Sequence, residues 1–186
     1  MNKLVTFLTI TILLSCSYIL WAQKSEHPFF LGIIPSVTME PYYLKNEMDI
    51  NIFPIVFQQK ICNRVDYRIS TILNLGLRQA KNQISHIGFQ GSLPIFIIKS
   101  KENGDPSKGF YIAPGVGFTR NLIEKHTNIG LWAEPGYSFL FEDHFAITIG
   151  VQFGATHFNY DDGTKKWGNH FGIKIVLGQW LSRVKR

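Results

Sequence analysis

The sequence predicts an all-β chain: a single eight-stranded antiparallel up-and-down transmembrane barrel that follows an N-terminal signal peptide. Three observations carry this. Beyond Pro28 the apolar residues recur with period two, the mark of a half-buried strand, and not with the 3.6 of a helix. The alternating segments are long. Compact turn residues separate them.

The alternation is clearest from His144 to Tyr160. Phe145, Ile147, Ile149, Val151, Phe153 and Ala155 share one face, and Ala146, Thr148, Gly150, Gln152, Gly154 and Thr156 the other. From His170 onward, Phe171, Ile173, Ile175 and Leu177 oppose Gly172, Lys174 and Gly178. The whole chain yields eight predicted strands, at 28–41, 47–60, 65–79, 85–99, 109–121, 127–142, 144–160 and 168–181. Turns are expected at Lys45-Asn46, Asn63, Lys81-Asn82, Asn103-Gly104-Asp105-Pro106, Glu142-Asp143 and Asp161-Asp162-Gly163. Many of these segments exceed the five or six residues usual in globular proteins. They also exceed the roughly 9–11 residues that a tilted strand needs to cross a bilayer. Residues 23–186 read as one domain without a linker or repeat.

Ahead of it, Lys3 and the apolar run Leu4 to Leu14 read as a secretory signal peptide over residues 1–22, with cleavage after Ala22. A spanning helix is the rival reading, but only strand-like sequence follows. Leu13-Leu14-Ser15-Cys16 resembles a loose lipoprotein box, although Ser17 to Trp21 stays apolar where lipoproteins turn polar. Cys62 is the only other cysteine, and a small half-buried residue at a strand end is its expected role.

Composition decides which face points inward. Charged residues make up 17% of the chain, against about 25% in soluble domains. The net charge of +6 comes from scattered Lys and Arg, not from a basic face or helix of the kind that binds nucleic acid. The polar face of the strands carries mostly Gly, Ser, Thr, Asn, Gln and Ala. Such residues fill the inside of a narrow barrel, which leaves the apolar face for lipid. Spanning structures must satisfy their backbone hydrogen bonds internally, and a closed barrel does so. Aromatics such as Phe29, Phe30, Tyr42, Tyr43, Phe139, Phe141, Phe145, Phe158, Tyr160, Trp167 and Trp180 gather near strand ends, where a membrane interface would lie. Pro35, Pro54, Pro94, Pro114 and Pro135 fall inside predicted strands, and bulges are expected to absorb them, notably at Pro114-Gly115 and Pro135-Gly136.

In architecture, residues 28–181 resemble the small eight-stranded outer-membrane barrels of the OmpA/OmpX and opacity-protein type. The segment Gly136-Tyr137-Ser138-Phe139-Leu140-Phe141-Glu142-Asp143-His144-Phe145-Ala146-Ile147-Thr148-Ile149-Gly150 looks like the tight periplasmic hairpin before their seventh strand. His170-Phe171-Gly172-Ile173-Lys174-Ile175-Val176-Leu177 is similar to their terminal assembly signal. It departs in having Ile175 and Leu177 where aromatics are usual, and in continuing to Arg186. The resemblance implies a bacterial outer-membrane location, periplasmic termini and a filled interior without a pore. It also implies membrane lipid, lipopolysaccharide and the assembly machinery as partners, with a monomer expected.

The inward polar positions are Glu40, Asp49, Asn51, Arg68, Asn74, Arg78, Gln90, Glu134, Gln152 and Lys174. Isolated buried charges are costly, so pairing is expected: Glu134 with Lys174 across Gly150, and Glu40, Asp49 and Arg78 in a second cluster. A structural polar plug is the role expected of them. No catalytic residue, metal or cofactor is expected. The six histidines show no ligand spacing, and Asp161-Asp162-Gly163 reads as a turn. Two other classes are alternatives to this reading. A lipid A deacylase would need a serine near Thr156-His157-Phe158-Asn159, where Asn stands instead. A soluble lipocalin-like carrier would need its apolar face inside.

Overall fold

A computed structural model describes residues 29–38, 47–97, 106–142 and 144–181. The predicted signal peptide, Cys16 and Glu40 lie outside the described residues. Eleven strands form one sheet: β1 (Phe29–Ile33), β2 (Val37–Thr38), β3 (Met48–Asn51), β4 (Ile55–Cys62), β5 (Val65–Leu77), β6 (Gln83–Ser92), β7 (Ile95–Phe96), β8 (Gly109–Asn121), β9 (His126–Phe141), β10 (Phe145–Tyr160) and β11 (Lys165–Leu181). They make eight passes, because β1/β2, β3/β4 and β6/β7 are single passes broken near Pro35, Pro54 and Pro94. Every pairing is antiparallel. The first pass meets the last from Phe29↔Leu181 to Ile33↔Leu177, which closes the sheet into a barrel. Among the described residues there is no helix.

The prolines behave differently from expectation. Pro114 and Pro135 create no bulge between the strands that carry them. The β8–β9 register runs without a shift from Gly109↔Ser138 to Asn121↔His126, through Ile112↔Pro135 and Pro114↔Ala133. The reason lies in where each missing N–H points. Leu93 N donates to Pro114 O at 3.0 Å, so the donorless nitrogen of Pro114 faces the fourth pass at the β6/β7 break. Pro135 sits at a gap in the β9–β10 ladder, between Gly136↔Gly150 and Ala133↔Phe153, and the register is the same on both sides. One hydrogen bond is lost and no residue is inserted.

The bulge is on the second pass. Between Ile55 and Ile50 that pass takes five steps, while its neighbour takes four from Ile33 to Val37. On its other side β5 takes four steps, from Ser70 to Asn74, against five from Val56 to Asn51. The extra residue falls in Ile52-Phe53-Pro54, and side chains repair the ladder around it. Asn51 Oδ1 accepts from Phe53 N at 3.2 Å and Leu73 N at 3.1 Å. Thr71 Oγ1 donates to Phe53 O at 2.5 Å and accepts from Ile55 N at 3.2 Å. A second bulge, at Asn74/Leu75, makes Ser85 the extra residue opposite, and both Ser85 and His86 become buried.

The barrel is inverted relative to a soluble protein. Its outer wall exposes Leu31, Ile69, Ile87, Phe89, Ile112, Leu131, Phe153 and Ile173, the last at 70%. Its interior buries Asp49, Lys60, Asp66, Arg68, Glu134 and Lys174, each at 5% exposure or less. At the end that holds Phe29 and Leu181, an apolar cluster of Phe30, Ile34, Val56, Ala146, Val176 and Trp180 fills the lumen. Phe30 and Trp180 meet edge-on at 5.6 Å. Gly32 and Gly178 make this fit: a Cβ on Gly178 would lie 2.5 Å from the Phe30 ring.

Asn51→Ala removes the acceptor that holds both backbone donors at the bulge. The expected loss is about 1–3 kcal/mol, read as a lower urea midpoint with an unchanged slope.

Candidate functional site

Two polar layers fill the barrel above the apolar cluster, and the nearer, in the middle of the barrel, is built around Glu134 of β9. Its Oε1 lies 3.0 Å from Arg68 Nη1 of β5. Its Oε2 lies 3.5 Å from Lys174 Nζ of β11. Tyr111 Oη donates to Oε1 at 2.7 Å, and Gln152 Nε2 donates to Oε2 at 2.7 Å. The network runs on from Arg68. Arg68 Nε donates to Gln58 Oε1 at 2.7 Å, Gln58 Nε2 to Asp66 Oδ2 at 2.6 Å, and Ser107 Oγ to Asp66 Oδ1 at 2.9 Å. Lys60 stands opposite Asp66 in the β4–β5 register. The strand pair Gly136↔Gly150 leaves room for the center of this layer. A Cβ on Gly136 would come within 2.5 Å of Tyr111 Oη, and one on Gly150 within 2.9 Å of Glu134 Cγ.

The far layer centers on Asp49 of β3. Arg78 Nη2 is 2.8 Å from Asp49 Oδ1, and His86 Nδ1 is 3.0 Å from Oδ2. Arg78 Nε also approaches Glu47 at 3.9 Å. His86 meets His126 edge-on, with ring centroids 6.4 Å apart. At the rim, Arg120 grips Asp161 with hydrogen bonds of 2.8 and 2.6 Å and ties the turn after β10 to the end of β8. The Arg120 hydrogen bond holds the Asp161 carboxyl below the usual carboxylate range.

Between the two layers lies His170 of β11, stacked on Trp132 at 5.0 Å. Both stand opposite Gly154, one on each side, so the rings meet over a residue without a side chain. His170 Nε2 is 3.1 Å from Gln152 Oε1, and its Nδ1 is 3.4 Å from Thr156 Oγ1. A hydroxyl, an imidazole and an amide therefore lie in line, with the amide anchored on Glu134.

The structure thus brings Arg68, Gln152 and Lys174 onto Glu134, and Arg78 onto Asp49. Asn51 serves the bulge, Asn74 and Gln90 face the lumen in the β5–β6 register, and Glu40 lies outside the described residues. Sequence reasoning missed Gln58, Lys60, Asp66, Tyr111, His86 and His170. Asp66 shares the parity of Arg68 and was legible on that ground. Nothing in the sequence marks a carboxylate partner for the Tyr111 hydroxyl, and His86 faces inward only because of a bulge. Among the described residues no group of three or more His, Cys, Asp or Glu could hold a metal ion.

No family model, curated protein or solved structure matches this chain. Through Glu134 the middle layer crosslinks five passes.

Breaking a buried ion pair from one side leaves an uncompensated charge, worth about 3–5 kcal/mol. Glu134→Ala is expected to cost that much in urea unfolding of the detergent-solubilised protein. Lys174→Met should cost less, because Arg68 still neutralises Glu134. The double variant Glu134→Ala/Lys174→Met should fall short of the sum of the single changes, by about 0.5–3 kcal/mol.

Proposed function

We propose that this chain is an integral outer-membrane β-barrel protein with a structural or surface-interaction role, exported through a cleaved signal peptide and holding a filled polar interior with no open pore. The observation that carries the reading is the inversion of polarity. Large apolar side chains cover the outside of a closed barrel whose inside buries charged residues. In water such a wall would drive aggregation; in a bilayer it meets its natural solvent. Closure leaves no unpaired sheet edge, which lipid demands. β9, β10 and β11 run for 16, 16 and 17 residues, long enough to cross.

Aromatic bands near both rims support the same reading. Toward the end that holds Phe29, outward rings pair as Phe29–Phe57, Phe57–Tyr67, Phe110–Tyr137 and Phe141–Phe145. Toward the other end, His157 lies 4.9 Å from the exposed Trp167. Rings with an apolar body and a polar edge suit the headgroup boundary. A lipocalin-like carrier would need the opposite polarity inside. Membrane lipid and lipopolysaccharide are the contacts this surface fits.

The protein is expected in the outer-membrane fraction, with migration on a gel that shifts on boiling. It should give no unitary conductance in planar bilayers, because Phe30 and Trp180 fill one end and the Glu134 network the middle. Recovery of the folded protein in the soluble fraction without detergent would sink the membrane reading.

One observation favours a second reading, an outer-membrane lipid-modifying enzyme: the alignment of Thr156, His170 and Gln152 follows the order nucleophile, base and orienting group. The plug reading predicts no covalent adduct on Thr156 after treatment with an alkyl fluorophosphonate. An adduct found by mass spectrometry in the wild type and lost in His170→Ala would favour the enzyme.

A further inference from the structure

Three buried donors in the middle of the barrel have no hydrogen-bond partner: Arg68 Nη2, Ser92 Oγ and Trp132 Nε1. They belong to one row of the sheet. The register runs Arg68↔Ser92, Ser92↔Gly115 and Gly115↔Trp132, across the third to sixth passes. Gly115 has no side chain, and the Trp132 indole leans over it, with Nε1 2.4 Å from where a Cβ would sit. Ser92 on the fourth pass and Trp132 on the sixth flank Gly115 on the fifth, and the indole leans over that glycine toward Ser92. The Arg68 side chain runs beneath them to reach Glu134. Two of the three groups can only donate, and a native barrel leaves few such groups unpaired without a reason.

The charges around this row do not balance. Arg68 and Lys174 are both within 3.5 Å of Glu134, two cations on one carboxylate. Lys60 and Asp66 oppose each other in register and cancel. The far layer has its own pairing, with Arg78 and His86 on Asp49 and Arg78 near Glu47. Among the described residues no further carboxylate reaches the middle layer, and its described side chains carry one more positive than negative charge. A surplus charge in a low-dielectric interior is costly until a counter-charge joins it.

We propose that the middle of the barrel holds a small monovalent anion of halide type, bound by Arg68 Nη2, Ser92 Oγ and Trp132 Nε1 beside Gly115. The chemistry selects for this class. All three groups can donate, and the described side chains around them carry a net positive charge. Water would satisfy the donors but leave the charge.

Trp132 is itself the reporter. The purified full-length protein, folded in detergent, is titrated with sodium bromide against sodium gluconate at constant ionic strength while tryptophan emission is followed. The expected result is a saturable quenching component, absent in Trp132→Phe and relieved by chloride, which competes without quenching. Ser92→Ala keeps the fluorophore and removes one donor, and should weaken bromide binding about tenfold, the equivalent of about 1.4 kcal/mol. The boiling-dependent gel shift confirms that each variant is folded. Quenching that rises linearly without saturation, ignores chloride, or is unchanged in folded Ser92→Ala overturns the proposal. The membrane reading is tested separately by fractionation, so failure of one leaves the other standing.

Discussion

Glu134 is the point on which the interior depends. It receives Arg68 from β5, Tyr111 from β8, Gln152 from β10 and Lys174 from β11, while it stands on β9 itself. One carboxylate thereby joins five of the eight passes. In water each of these bonds would be nearly neutral, because solvent offers equivalent partners. Inside a closed barrel the alternative is an unsatisfied group, and the asymmetry favours the assembled network. The network also selects the register: a slip of one residue on any of these passes would turn its polar side chain outward.

Large side chains and glycines share the remaining work. Eight strands enclose a lumen only wide enough for side chains, so each bulky residue needs an opposing gap. Trp132 lies against Gly115, Gly117 and Gly130, Tyr111 against Gly136 and Gly150, and Phe30 against Gly32 and Gly178. Elsewhere the backbones themselves come too close for a side chain. A Cβ on Gly154 would lie 1.9 Å from Leu131 O, and one on Gly88 2.1 Å from Phe118 O. Glycine content in these strands therefore reflects packing geometry more than flexibility.

The alternation of residues made the barrel legible, along with its inverted polarity, because both are properties of single strands. The parity that turned Glu134, Lys174 and Arg68 inward came from the same source. What lay beyond reach depends on neighbours. Whether Pro54 or Pro114 produces a bulge turns on which adjacent pass its missing N–H faces, and that requires the pairing. His86 reads as out of phase until the insertion of Ser85 is known. Tyr111 and Trp132 look like ordinary apolar residues until a carboxylate or an imidazole is found beside them.

The layering has a consequence for how the barrel holds together. The apolar cluster of Phe30, Val56, Val176 and Trp180 gathers the first, second and eighth passes, the seam where the chain closes on itself. Burial of these apolar side chains drives that seam together without a specific geometry. The Glu134 network lies mainly on the passes opposite, where specificity is needed because apolar contact alone would permit neighbouring registers. Lys174 links the two, since β11 carries both it and Val176 of the apolar cluster. Closure and register are thus enforced by different forces in different sectors of one wall. The strand that completes the barrel is also the one that delivers the second cation to its center.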